Sequence, residues 1–123
     1  MKIIIKRTDD DFAMEAKNED GNVINMDGPP QLGGHNSGFR PTQLLLAAVG
    51  GCSAIDVVMI LKKQKQKIDS FEIEVDGEKE KVEEYSLFRD ITIHFKLKGE
   101  IDLEKAERAV QLSIENIAPF QKH

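Results

Sequence analysis

Apolar and polar positions alternate along the first part of the chain. Residues 2–8 (KIIIKRT) and 11–17 (DFAMEAK) predict two strands joined by an acidic turn at Asp9 and Asp10. Residues 22–27 (NVINMD) predict a third, entered through Asp20-Gly21. Together they predict an antiparallel meander. The glycines, prolines and asparagine of residues 28–38 (GPPQLGGHNSG) then predict a loop without regular structure. A connection of that length inside a small domain is often functional.

The pattern changes at residues 40–61, RPTQLLLAAVGGCSAIDVVMIL, where apolar residues crowd every side of a helical projection. Pro41 suits the first helical position, where a missing N–H costs nothing. Gln43 can reach back to the backbone of Arg40 at the cap, as half of a capping box. The lysines of KKQKQK after Leu61 meet the negative end of the helix dipole, a simpler account of them than a basic binding patch. Gly50, Gly51, Ser53 and Asp56 interrupt the run, so it is read as a buried core helix and not as a membrane span.

Alternation returns in residues 70–77, with Phe71, Ile73 and Val75 set against Glu72, Glu74 and Asp76. It returns again in residues 87–97, with Ile91, Ile93, Phe95 and Leu97. The charged EKEKVEE between them predicts a solvated hairpin. Asp102 caps a final helix with apolar positions Leu103, Ala106, Val110, Ile114 and Ile117. This order of elements predicts an α+β fold, antiparallel sheets around a long buried central helix, in one domain spanning residues 1–123.

Composition narrows the function classes. A chain of 123 residues buries roughly two thirds of its unfolded surface, enough for one core. A net charge of −5 with few aromatics argues against nucleic acid and against an anionic membrane as partners. The opening MKIIIKRTDDDF reads as a strand and not as a leader. One cysteine, Cys52, excludes an internal disulfide and any multi-thiolate metal site, and fits the cytoplasm. His35 and His123 have no third ligand at useful spacing, so no metal is expected, nor any cofactor.

A helix apolar all round must be covered all round, and a chain this short has little left to cover it. Two glycines inside a helix cost about 1 kcal/mol each against alanine, and that cost calls for a close contact. The small residues around Gly50 and Gly51 therefore predict a helix from a second copy crossing there, with Cys52 close to the crossing. Cys52 itself has two readings: a small buried hydrophobe, or a reactive thiol. It lies about three turns into the helix, too far for the dipole to activate it. A thiolate there needs a cation supplied from elsewhere.

The string PTQLLLAAVGGCSAIDVVMILKKQKQKI resembles the central helix of the OsmC/Ohr family, thiol-dependent peroxidases that reduce organic hydroperoxides and hydrogen peroxide. The resemblance is close to literal over Gly50–Val58 and extends to the order of elements. It implies an OsmC-like fold and an intertwined homodimer with paired central helices. It also implies a peroxidatic role for Cys52, a small hydroperoxide substrate and a part in oxidative or osmotic stress. The family's glutamate, which orients an arginine against the thiolate, falls on Thr42. For the arginine, Arg40 is the first candidate and Arg7 the second, while Arg40 also reads as an exposed charge at a helix end. The family's resolving cysteine falls in the run Glu115, Asn116, Ile117, Ala118, so the resemblance implies an external thiol as reductant. The alternative reading is a non-catalytic dimer of the same fold that binds a small apolar ligand.

Overall fold

A computed structural model describes residues 1–82 and 85–117. The chain divides into two compact units, Met1–Leu45 and Leu46–His123.

In the first unit, β1 (Ile3–Arg7), β2 (Met14–Asn18) and β3 (Val23–Met26) form the predicted antiparallel meander in the order β1-β2-β3. Ile5 pairs with Ala16, and Ala16 with Ile24. The strand expected from residue 11 begins only at Met14. The cause is Asp9, whose Oδ1 accepts the backbone amides of Asp11 at 2.8 Å and Ala13 at 3.1 Å, which turns the chain before it can extend. Residues 28–38 are not wholly irregular either, because Pro30–Leu32 forms one 3-10 turn, with Pro30 supplying the fixed φ of its first position.

The helix α1 (Pro41–Lys63) starts as predicted, with the backbone N–H of Arg40 donating to Gln43 Oε1 at 3.0 Å. In the second unit the strands outrun expectation. β4 (Lys67–Val82) and β5 (Tyr85–Glu100) make a hairpin whose ladder continues through most of the charged stretch, since solvated side chains do not hinder backbone pairing. Glu83 and Glu84 of that stretch lie outside the described residues. One face of the hairpin is apolar in register: Phe71 opposite Leu97, Ile73 opposite Phe95, Val75 opposite Ile93. The rings of Phe71 and Phe95 meet edge to face at 6.3 Å. Gly99, at φ 146°, permits a backbone approach to the Lys67 carbonyl that a Cβ would block.

The helix α2 (Leu103–Ile117) is capped as expected, with Asp102 Oδ2 accepting the Lys105 amide at 3.1 Å. The side chain of Gln66 closes the corner, its Oε1 accepting the Asp102 amide at 2.8 Å. Val57 and Leu61 of α1 and Ala109 of α2 form the buried centre, with Ile68, Phe71, Phe95 and Leu97 of the hairpin against them. The expected apolar line of α2 is only partly inside: Leu103 and Ile114 are exposed, and Ser113 takes a buried place. The side chain of Ile117 is outside the described residues.

One chain covers only part of α1, as its short length led us to expect. Within the chain only Gly50, Ser53, Val57 and Leu61 are buried, a single stripe at helical spacing. Leu45, Ile55 and Met59 are exposed, at 59%, 71% and 45%. The hairpin has one apolar face and covers one side of a helix, so the opposite side of α1 stays open. By length and composition alone α1 could cross a membrane, and 22% of its apolar window is buried.

Candidate active site

Cys52 is the natural starting point, and it lies on the open side of α1. Within the chain Cys52 is exposed, because the buried stripe passes through its neighbour Ser53 and turns Cys52 outward, so a buried place for it would need cover from a second copy. Ile55 and Met59, three and seven positions on, share its side of the helix. Further along the helix an open groove of about 540 Å³ lies between Ile55, Val58 and Met59 of α1 and Phe71 of β4, and Cys52 is not among the residues that line it. Cys52 thus shares an exposed helix side with two apolar residues, Ile55 and Met59.

The two glycines separate in role. A Cβ on Gly50 would come within 2.5 Å of Val75 Cγ2 and 3.2 Å of Ile73 Cδ1, so this glycine lets α1 sit against its own hairpin. Nothing lies within 4 Å of a Cβ on Gly51. The compensating contact expected at both positions is thus internal at Gly50, and only Gly51 faces outward beside Cys52.

Arg40 is half-buried and immediately precedes α1, with its backbone amide held by Gln43. Thr42, where the resemblance called for a carboxylate, is half-buried in the first turn. The second candidate, Arg7, is committed elsewhere. Its guanidinium donates to the carbonyl of Asp11 at 3.0 Å and to that of Asp10, bracing the β1–β2 turn.

Sequence reasoning missed a polar cluster in the first unit. Asp27, at the end of β3, is 2% exposed. Its Oδ1 accepts the Gly28 amide at 2.7 Å, and its Oδ2 accepts the Ser37 hydroxyl at 2.8 Å and the amides of His35 at 3.0 Å and Ser37 at 3.2 Å. The Ser37 hydroxyl and these amides lower its pKa from 3.8 to about 2 against the opposing effect of burial. The only hint in sequence was an Asp-Gly step at the mouth of a glycine- and proline-rich loop.

His35 extends the cluster. Its Nε2 lies 2.7 Å from Asp11 Oδ2, and that contact raises the imidazole pKa above its ordinary 6.5. Asp9, Asp11 and His35 bring three potential ligand atoms within 4.8 Å of one another, more than the sequence spacing of the histidines promised. Asp9 already serves two backbone amides and Asp11 already bonds the imidazole. The three side chains are joined to the turn and to one another as a hydrogen-bonded clasp. His123 and Ala118 lie outside the described residues.

An antiparallel meander leading into a long helix, a two-stranded antiparallel hairpin against that helix, and a second helix bearing on the same hairpin define the class. A lone cysteine sits on the open face of the long helix. Residues 34–122 match the family described as OsmC-like protein, and the chain belongs to it. It is 42% identical over 100 residues to Protein YhfA of Escherichia coli, a match covering 77% of this chain and 68% of that one. A solved structure of a hypothetical protein from Aquifex aeolicus is 26% identical, with a TM-score of 0.76, covering 93% of this chain and 78% of that one. An organic hydroperoxide resistance protein OsmC from Legionella pneumophila superposes with a TM-score of 0.65 at 19% identity, over 94% and 84% of the two chains, and shares the fold.

Proposed function

We propose that this chain is a thiol-dependent peroxidase of the OsmC-like family, working as a homodimer in the cytoplasm with Cys52 as the peroxidatic residue. The observation that carries the reading is the exposed Cys52 on the same side of α1 as the exposed Ile55 and Met59, inside the segment that matches the family. The hydroperoxide resistance named for the Legionella protein supports it.

The chemistry is a two-electron oxidation of sulfur. The Cys52 thiolate attacks the terminal oxygen of R–O–O–H, an S–O bond forms as the O–O bond breaks, and the alkoxide leaves with the bonding pair and takes a proton to become the alcohol. The sulfenic acid then condenses with an external thiol to give a mixed disulfide and water, and a second thiol releases the reduced enzyme and a disulfide. With Cys52 the sole cysteine, no thiol of the same chain can take the external thiol's place.

A helix rises about 1.5 Å per residue, so an arginine at the head of α1 does not reach a thiol three turns along the same helix. The cation for Cys52 is assigned to Arg40 of a second copy, brought up when the open side of α1 is covered. The exposed Ile55 and Met59 and the unobstructed Gly51 supply the surface for that contact.

A second reading has its own observation. An apolar groove of about 990 Å³ lies between β5 and α2, floored by Phe95, Leu97, Ile101 and Val110. It suits a non-catalytic dimer that holds a small apolar ligand. One experiment separates the two readings: consumption of an alkyl hydroperoxide with several external thiols, and trapping of the Cys52 sulfenic acid, in wild type and Cys52→Ser. Peroxidase activity requires turnover that the variant loses. Equal consumption by both proteins leaves the ligand-binding reading.

A further inference from the structure

The segment between β3 and α1 is held from two sides by different chemistry. From inside, Asp27 takes the amides of His35 and Ser37 and the Ser37 hydroxyl. From outside, the His35 ring bonds Asp11 in the turn between β1 and β2. We propose that the pair His35–Asp11 is a proton-controlled clasp on residues 28–38: tight while the imidazole carries its second proton, and loosened when it loses it.

The two attachments differ in what titrates. Asp27 stays ionised through the neutral range, so the inner attachment is permanent there. The outer one depends on an exposed imidazole, with side-chain exposures of 61% for His35 and 49% for Asp11, which exchanges protons freely with solvent. The groups facing it are predominantly acidic. Asp11 and Asp9 come from the β1–β2 turn and Asp27 from the end of β3, and all three favour the imidazolium. Arg7, from the end of β1, bonds the turn through carbonyls and holds Asp11 in place. The raised pKa fixes the sign: the attachment is at full strength below the ordinary 6.5 and weakens as pH rises through the higher folded value.

Neutral His35 can still donate one hydrogen bond to Asp11, so the clasp loosens and does not vanish. An exposed ion pair supports a change of about two- to five-fold in local opening. Asn36, at φ 55° between His35 and Ser37, and Gly33, at φ 110°, already hold turn conformations on either side of His35.

The test is amide exchange over residues 28–38 between about pH 5.5 and pH 8.5, corrected for intrinsic rate, with NMR titration of the His35 ring. Wild type is expected to show opening that increases about two- to five-fold across the His35 titration. Asp11→Asn and His35→Asn should be flat over that range, with the His35 pKa of Asp11→Asn falling back towards 6.5. Opening that is independent of pH in wild type, the same pH response in Asp11→Asn, or a His35 pKa that the substitution does not lower would each overturn the proposal. Exchange and titration need no peroxide, so the outcome is independent of the catalytic reading of Cys52.

Discussion

Ser53 Oγ of α1 and Ser113 Oγ of α2 lie 2.8 Å apart with both residues fully buried, a polar bond at a helix contact otherwise built from alkyl groups. Its direction follows from a third atom. Ser113 donates to the Val110 carbonyl at 2.8 Å, so its one proton is spent and Ser53 must be the donor to Ser113. Because Ser53 follows Cys52 directly, this bond also fixes the rotation of α1 that turns the thiol outward.

The two serines should therefore respond unequally to truncation. Ser53→Ala removes a donor and leaves Ser113 bonded to Val110, at a cost of about 1 kcal/mol. Ser113→Ala strands a buried hydroxyl, at about 1–3 kcal/mol. The double variant should recover part of the larger loss, since nothing polar is left unpaired. Urea midpoints of the four proteins decide it, and strictly additive losses would mean the hydroxyls do not interact.

Gly50 and Gly51 make a second contrast. Gly50→Ala forces the end of Val75 aside, and overpacking of about 1–3 kcal/mol exceeds the helix propensity gained. Gly51→Ala meets nothing in the chain and gains about 1 kcal/mol of helix propensity. If a second copy crosses at Gly51, Gly51→Leu should weaken self-association about tenfold or more, the equivalent of the same overpacking energy. Sedimentation equilibrium reads this directly, and a Leu variant that associates as well as wild type removes Gly51 from the contact.

Asp27 sets an acid limit on the first unit. Its pKa is about 2 in the fold against an ordinary 3.8, so its contribution to stability is full above the ordinary value and disappears as pH falls through the lower one. Wild type should lose stability progressively between about pH 5 and pH 2, and Asp27→Asn, weaker at neutral pH, should have a flatter acid limb. Urea midpoints at a series of pH values measure it. Parallel curves for the two proteins would show that Asp27 is not the titrating group.

How much of this was legible in the sequence depended on the range of the interaction. Alternation gave the meander and both sides of the hairpin, and Pro41, Gln43 and Asp102 marked helix starts, because each depends on neighbours a few positions away. That one chain leaves part of α1 uncovered was legible from its apolar residues and the shortness of the chain, but which side stays open was not, because that depends on which stripe meets the hairpin. Ser53–Ser113 and Asp11–His35 join residues far apart in sequence, and no local pattern announces them. Cys52 stood out through its motif, while its outward direction depends on which stripe of α1 meets the hairpin.

The end of α1 offers a last prediction. Lys65 holds φ 57°, the left-handed position that closes the helix, with its amide on the Lys62 carbonyl at 3.0 Å and the Gln66 amide on the Leu61 carbonyl at 2.9 Å. Glycine is the usual occupant of that position, and an L residue carries a penalty there of about 1–2 kcal/mol. Replacing Lys65 by glycine removes the penalty, gives up one favourable charge at the helix end worth about 0.3–1 kcal/mol, and leaves Lys62 and Lys63 in place. A net gain of about 0.5 kcal/mol is expected. Gln64→Gly, one residue earlier and at negative φ, should instead lose about 1 kcal/mol. The opposite signs at adjacent positions are the test, read from denaturant midpoints. A loss at both would mean that residue 65 does not hold the left-handed turn in solution.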